Sequence, residues 1–133
     1  MSITLDQARR LIEGAKKKAE AIGVPFTISV VDNGGNLVAL ERMDEALLVS
    51  IDISIGKAYT ACLLNMSTAD LFPLVQPGQP LYGLDVSHRP RPLIPFGGGL
   101  PVKKEGKLLG GIGVSGGTVE QDIDVANAAL EAL

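Results

Sequence analysis

The stretch from Pro95 to Asp122 constrains the fold of this chain more than any other, because it holds more than half of the 16 glycines. Two glycine groups, at 97–99 and 110–117, lie on either side of a short predicted hairpin. Glycine has no Cβ, so it adopts unusual φ values and lets other groups approach the backbone closely. We therefore expect two backbone loops that lie either against a bound ligand or against the protein's own strands and helices.

The second glycine group leads into a predicted helix. Thr118 followed by Gln121 fits a capping box, and the free N–H groups of a helix N-terminus favour an anion. Asp122 and its acidic neighbours occupy the same first turn, where they would repel an anionic ligand that faced them. There is no Walker motif, and Gly111–Gly116 fits the dinucleotide-binding pattern only formally, which argues against a nucleotide site.

Length and composition indicate one globular domain over residues 1–133. The chain is 46% hydrophobic with a formal net charge of −3, and it lacks the clustered basic residues of a nucleic-acid-binding protein. Cys62 is the single cysteine, which excludes an intramolecular disulfide and a cysteine-based zinc site. Met1 leads directly into an amphipathic segment rather than a signal peptide, so we expect a cytoplasmic location.

The hydrophobic pattern predicts two helices and two hairpins. The first helix follows Thr4, which fits a capping box with Gln7, and it ends at Gly23; the last helix follows Thr118. Hairpins are predicted around turns at 32–35 and 105–106.

A third helix is predicted from Ala46 to Met66, and it is apolar nearly all round. Such a helix must be covered on several sides, either by the sheet and a neighbouring helix or by another subunit. Its polar interruptions and the lack of eighteen consecutive apolar residues argue against a membrane span. We therefore expect a homo-oligomer.

A short helix can start at Thr68, and the long proline-rich connection that follows it, from Pro73 to Pro95, contains His88, the only histidine. A long segment with little regular structure in a compact domain is usually functional or mobile. A lone histidine in a loop is more often a surface residue than a metal ligand, and no second ligand stands at metal spacing.

Five motifs together resemble a known family. They are, in chain order, Asp32-x-Gly-Gly, Arg42-Met43-Asp44, Lys57-Ala58-x-Thr60-Ala61, Phe96-Gly-Gly-Gly-Leu-Pro101, and Gly110-x-x-Gly113-Val-Ser-Gly-Gly117 with Asp122. Over essentially the whole chain they resemble the GlcG/HbpS-like family, which also supplies the C-terminal domain of PduO-type proteins. The resemblance implies an α+β fold, a profilin-like or PAS-like antiparallel β-sheet flanked by helices, in assemblies from dimers to octamers. It also implies an association with genes for glycolate, propanediol or glycerol use, and haem binding in some members.

The resemblance implies one set of ligand-binding residues: Lys57, Thr60, Gly97, Gly98, Gly99, Ser115, Gly116, Gly117 and Asp122. In one hypothesis Lys57 offers its charge to a carboxylate or propionate while the glycines offer backbone N–H groups. In the other hypothesis Lys57 forms a structural ion pair with Asp52 or Asp122, because a lysine in an apolar helix needs a partner.

A haem would need an axial ligand of the His, Met, Cys or Tyr type. The candidates are His88, Met43, Met66, Cys62, Tyr59 and Tyr82. Among them we select His88. The segment Glu41–Asp44 only approximates the Glu-x-x-Glu iron motif associated with the HbpS type.

The preferred function is a non-catalytic accessory protein that binds a small organic ligand or a tetrapyrrole, haem or corrinoid, linked to glycolate, glycerol or propanediol catabolism. No nucleic acid or membrane partner is expected. One alternative is an enzyme acting on haem or on a small hydroxy-acid or aldehyde, and another is a structural oligomer without a ligand. Ser115 matches a nucleophile motif within Gly113–Gly117, but no histidine follows it to complete a triad, which disfavours an enzyme.

Overall fold

The computed structural model describes every residue from Met1 to Leu133. The elements in chain order are α1 (Leu5–Ile22), β1 (Thr27–Asp32), β2 (Leu37–Arg42), α2 (Ser50–Leu64), α3 (Thr68–Leu74), α4 (Leu84–Ser87), β3 (Gly99–Lys104), β4 (Lys107–Ser115) and α5 (Val119–Glu131). The predicted capping boxes are present at Thr4 and at Thr118, so the local signals for the first and last helices are confirmed.

The four strands form one antiparallel sheet in the order β2-β1-β4-β3. Both predicted hairpins are confirmed, and β1 pairs with β4 to join them. Thr27 lies opposite Ser115 in this central pair, which places the end of the second glycine group beside the start of β1. The predicted α+β fold with an antiparallel sheet flanked by helices is thus confirmed.

Helices α1 and α5 cover one face of the sheet and enclose the main hydrophobic core of 16 buried residues. Leu11 and Ile12 of α1 meet Ile28 and Ile112 of the central strands in this core. The capped, amphipathic helices therefore bury one apolar stripe each, as their periodicity predicts.

Helix α2 covers the opposite face, and its contact with the sheet is formed by small and hydroxyl-bearing residues. The Ser29 and Ser54 hydroxyl oxygens lie 2.7 Å apart, and those of Thr27 and Ser50 are also separated by 2.7 Å. A Cβ on Gly113 would collide with the Ser54 carbonyl oxygen, so glycine at this position lets the helix approach the strand. The β4 glycines of the second group therefore serve the packing of strand on helix, the second of the two interpretations drawn from the sequence.

The third predicted helix is shorter than expected. It begins at Ser50 rather than Ala46 and ends at Leu64 rather than Met66. Residues 46 and 47 belong to no regular element and 48–49 form a turn, and Val49 at the N-cap provides no capping side chain. Part of the cover that this helix requires comes from the connecting segment, since Ile94 packs against Gly56.

The connecting segment contains one short helix that the sequence did not predict, α4, while α3 begins at the predicted Thr68. No helix in the structure combines the length and the apolar character needed to cross a membrane.

Candidate functional site

The predicted residues Lys57, Ser115, Asp122 and both glycine groups come together where α2, the end of β4 and the start of α5 meet. The Lys57 ammonium donates to the Asp122 carboxylate over 2.7 Å and to the Val114 carbonyl oxygen over 2.9 Å. The other Asp122 oxygen accepts from the Gly117 N–H over 3.0 Å. The ion pair that the sequence offered as the second hypothesis is therefore present, with Asp122 and not Asp52 as the partner.

Both members of this ion pair are buried. The Lys57 side chain is 0% exposed and that of Asp122 is 5% exposed. Burial lowers the pKa of the Lys57 ammonium, and the Asp122 charge opposes the shift. Burial likewise raises the pKa of the Asp122 carboxyl, while Lys57 and the backbone N–H groups of Gly117 and Gly116 oppose it. Each ion is thus stabilised mainly by its partner and by hydrogen bonds with the surrounding backbone.

The first glycine group, Gly97 to Gly99, is buried beside the same pair. The Gly99 N–H donates to the Thr68 hydroxyl over 2.9 Å, and the Gly98 carbonyl accepts from the Val114 N–H over 2.9 Å. The Gly99 N–H, the Gly98 carbonyl and the Gly117 N–H are thus all hydrogen-bonded within the protein. A ligand at these loops would have to use other backbone groups or replace these bonds. Direct ligand contact by the glycine loops and Lys57 stays a prediction.

Thr60, also predicted to bind the ligand, serves a different contact. Its hydroxyl donates to the Gly56 carbonyl over 2.7 Å and accepts from the Ile94 N–H over 2.9 Å. Thr60 therefore fastens the connecting segment to the outer side of α2.

His88 lies on the connecting segment, half-buried against the outer side of α2. Its Nε2 and the Tyr59 hydroxyl oxygen are 3.1 Å apart, at hydrogen-bonding distance. The guanidinium carbon of Arg91 lies 5.8 Å from the centre of the same Tyr59 ring. Tyr59 thus contacts both His88 and Arg91.

The other axial candidates differ in their exposure. The Cys62 thiol is buried, burial raises its pKa, and it donates to the Asp32 carbonyl over 3.2 Å. Met43 and Met66 pack against hydrophobic clusters, and Tyr82 is 68% exposed in water. No group of three or more His, Cys, Asp and Glu side chains is arranged to hold a metal ion.

A groove that the sequence did not reveal runs between α2 and the connecting segment, with a volume of about 480 Å³. Its lining residues are Asp52, Ile53, Gly56, Pro90, Arg91, Pro92 and Ile94. Neither Asp52 nor Arg91 takes part in any of the four ion pairs of the structure. In the sequence, the only hint of this groove is Arg91 between two prolines. Nothing in the sequence shows that residues 90–94 lie against residues 52–56.

Ser115, the candidate nucleophile, is 7% exposed and lies in the central strand pair opposite Thr27. The only histidine is engaged with Tyr59, so Ser115 has no histidine base of the kind that activates a serine nucleophile. The arrangement as a whole can fasten α2 internally and bind a ligand at its outer side.

Three curated relatives match the chain along most of its length. A 15.0 kDa protein from the dhaT-dhaS intergenic region of Citrobacter freundii is 50% identical and is matched over 98% of this chain and 91% of its own length. The corrinoid adenosyltransferase PduO of the same organism is 44% identical over all of this chain, which spans 39% of PduO. Protein GlcG of Escherichia coli K12 is 33% identical over 85% of this chain and 81% of GlcG.

Solved structures agree with these relatives. A crystal structure of a PduOC–haem complex is 39% identical, with a TM-score of 0.94 over 100% of this chain and 96% of that chain. A double mutant of HbpS from Streptomyces reticuli is 30% identical, with a TM-score of 0.88 over 100% of this chain and 88% of that chain. The sequence model of the family described as "Haem degrading protein HbpS-like" matches residues 3–131. The chain therefore belongs to the HbpS-like family, as its five motifs indicated.

Proposed function

We propose that this protein binds haem as a non-catalytic accessory protein. The observation that carries the proposal is the likeness, over the whole chain, to the PduOC structure that was crystallised with haem. The absence of a paired nucleophile and base around Ser115 supports binding rather than catalysis.

His88 is the residue proposed to ligate the haem iron. Its Nε2 is engaged by the Tyr59 hydroxyl, which leaves Nδ1 of the ring without a protein hydrogen bond. Metal-bound histidines usually have one ring nitrogen on the metal and the other held by a hydrogen bond, so this environment fits a ligand. Bound haem would supply redox and gas-binding chemistry at its iron.

A haem titration followed by absorbance tests the proposal. Wild-type protein should give a saturable shift of the Soret band at one haem per chain. His88→Ala should weaken binding or change the band position, whereas the matched control Tyr82→Phe, on the same segment, should behave as wild type. Absence of a saturable shift in the wild type would overturn haem binding. A normal band in His88→Ala would remove only the ligand assignment.

Haem degradation is the second candidate function, and the description of the matching family favours it. The haem complex would be mixed with a reductant and oxygen while the Soret band is followed. A stable band supports a binding role, and loss of the band with release of iron would establish degradation. Free haem under the same conditions is the control.

A small carboxylate at the buried ion pair stays a further proposal. The centre of the Phe96 ring lies 5.2 Å from the Lys57 nitrogen, and Phe96 is 36% exposed. A movement of the Phe96 side chain would therefore open a path from water to Lys57. A carboxylate bound there would compete with Asp122 for Lys57. Thermal unfolding in the presence of glycolate, with chloride as the control, measures whether any such ligand stabilises the protein.

The association with glycerol, propanediol or glycolate catabolism is likewise proposed. It is supported by the names of the relatives, which place one in the dhaT-dhaS region and describe another as a corrinoid adenosyltransferase. Transcript levels during growth on each carbon source would test the link. Cobalamin added in place of haem in the titration would test corrinoid binding.

Self-association is proposed from the apolar turn before α2. Leu47, Leu48 and Val49 are 62%, 76% and 62% exposed, and contiguous exposed apolar side chains often mark an interface. Light scattering after gel filtration should show an assembly between a dimer and an octamer, and Leu48→Glu should reduce its mass. A monomeric wild-type protein would contradict the proposal.

A further inference from the structure

We infer that the groove between α2 and residues 90–94 binds a small zwitterion, with the ligand's carboxylate on Arg91 and its ammonium group on Asp52. Both residues line the groove. This binding goes beyond the proposed haem binding and does not depend on it, because no histidine, methionine, cysteine or tyrosine lines the groove. The inference is argued from the fixed walls of the groove and from its two unpaired charges.

The walls of the groove are held in place by the protein itself. The Thr60 hydroxyl accepts from the Ile94 N–H over 2.9 Å, and the Leu93 N–H donates to the Asp85 carbonyl over 2.9 Å. A Cβ on Gly56 would come within 2.7 Å of the Ile94 side chain, so glycine lets the segment lie close to α2 here. The volume of about 480 Å³ falls in the range of small-molecule sites, and preformed walls lower the entropy cost of binding.

Two opposite charges line the groove without meeting each other. Arg91 is half-buried and Asp52 is exposed, and neither belongs to any of the four ion pairs of the structure. The neighbouring Arg89 differs, because its guanidinium donates to the carbonyls of Val86 and His88 over 3.0 Å. Arg91 and Asp52 are therefore the two charged groups that the groove offers to a ligand.

The Arg91 guanidinium lies 5.8 Å from the centre of the Tyr59 ring, a cation–π contact that limits its freedom before a ligand arrives. A guanidinium binds a carboxylate through two parallel hydrogen bonds, and the Asp52 carboxylate accepts from an ammonium group.

The two charges together select the class of ligand. A simple acid is attracted by Arg91 and repelled by Asp52, and a simple amine meets the reverse. Only a molecule that carries both groups gains from both contacts. Two isoleucines and two prolines of the lining supply apolar surface for the carbon chain between the two ligand charges. A small amino acid with a short apolar chain meets these conditions.

The experiment is an NMR titration of the full chain, labelled with ¹⁵N, at neutral pH. The probes are glycine, β-alanine and γ-aminobutyrate, in which the separation of the two charges increases. Each is compared with the analogue that lacks its ammonium group (acetate, propionate, butyrate) and the analogue that lacks its carboxylate (methylamine, ethylamine, propylamine). At least one zwitterion should bind saturably and shift the amide signals of Gly56 and Ile94. Its two analogues should bind roughly tenfold more weakly or worse, the size expected when a hydrogen bond between charged groups is lost.

Two variants test the residues separately. Arg91→Met should weaken binding of the best zwitterion by roughly tenfold or more and should not weaken its amine analogue. Asp52→Asn should weaken the zwitterion and should not weaken its acid analogue, because the repulsion is removed. The matched controls are Arg9→Met and Asp124→Asn, at exposed positions of α1 and α5, and both should behave as wild type. Circular dichroism of each variant checks that it is folded.

Three results would overturn the inference: no saturable binding of any zwitterion, an acid or amine analogue that binds wild type as tightly as its zwitterion, or shifts confined to residues outside 52–56 and 90–94. Equal affinities of Arg91→Met and Arg9→Met would overturn the assignment of the carboxylate to Arg91. The haem titration of the wild type is read separately, so a failure of haem binding and a failure of this site are distinguishable.

Discussion

The two faces of the sheet are held by different forces. On the face covered by α1 and α5, 16 buried residues form a continuous apolar core. On the face covered by α2, the buried hydrophobic cluster has only three members, Val31, Ala58 and Cys62, and the contact also depends on hydroxyl pairs, glycines and one ion pair. Burial of apolar area therefore stabilises the first face. On the second face, the close approach of α2 to β4 and the polar contacts of α2 fix the position of the helix. The candidate site lies on the second face and on the outer side of the same helix.

The largest effect is expected at the buried ion pair. Lys57→Met leaves the Asp122 carboxylate without its cation in a buried position, and we expect a loss of about 3–5 kcal/mol in the free energy of unfolding. The double variant Lys57→Met with Asp122→Leu should recover much of that loss, because no unpaired charge remains. Urea denaturation of the three proteins measures both effects. A single variant as stable as wild type would mean that this face does not depend on the pair.

On the apolar face, Leu11→Ala removes a side chain with no exposed surface from the main core. The expected loss is about 2–5 kcal/mol, set by the transfer free energy and the cavity that remains. The tyrosine fluorescence of the folded variant, to which Tyr59 and Tyr82 both contribute, should match that of wild type if α2 keeps its environment. Leu5→Ala, at a half-exposed position of α1, is the matched control and should cost far less.

Gly113→Ala tests the close approach of α2. The added Cβ would meet the Ser54 carbonyl and lie 2.6 Å from the Ala58 nitrogen, both of them backbone atoms that cannot move without shifting the helix. We expect a loss of about 1–3 kcal/mol, typical of overpacking. Gly34→Ala is the control, because its neighbours there are flexible side chains. Thermal unfolding compares the two, and equal midpoints would show that α2 adjusts freely.

The smallest effect is expected at the hydroxyl pairs. Ser54→Ala leaves the Ser29 hydroxyl without this buried partner and should cost about 1–2 kcal/mol. Ser29→Ala together with Ser54→Ala should cost less than the sum of the single changes, because the bond is lost only once. A double-mutant cycle in urea measures the coupling. Strict additivity would show that the two hydroxyls do not stabilise one another.

Much of the fold was predictable because its signals are local. The capping box at Thr4, the glycine that ends α1 and the turn at 32–35 act within a few residues, and each was confirmed. The start of α2 was predicted four residues too early, because Leu47 to Val49 continue a helical apolar pattern without a capping side chain. In the structure all three residues lie outside the helix and are exposed to water.

The candidate site was predictable only in part. Lys57 was recognised as a lysine that needs a partner, but Asp52 and Asp122 could not be distinguished without the fold. The groove was missed, since its two walls, 52–56 and 90–94, are separated by α3 and the proline-rich connection. Whether the glycines contact a ligand or the protein was also undecided from the sequence.

By itself the sequence determined where most helices and strands begin and end, which helix is buried on several sides, and to which family the chain belongs. The elements and the burial of the helix follow from side-chain periodicity, caps and turn residues, whose physics acts over a few positions, whereas the family was indicated by the resemblance of five motifs. Only the tertiary structure decided that Asp122 pairs with Lys57, that the β4 glycines admit α2, and that Tyr59 contacts both His88 and Arg91. Those contacts join residues far apart in the chain, and they form only once the antiparallel pairing of β1 and β4 has positioned α2, α5 and the connecting segment against each other.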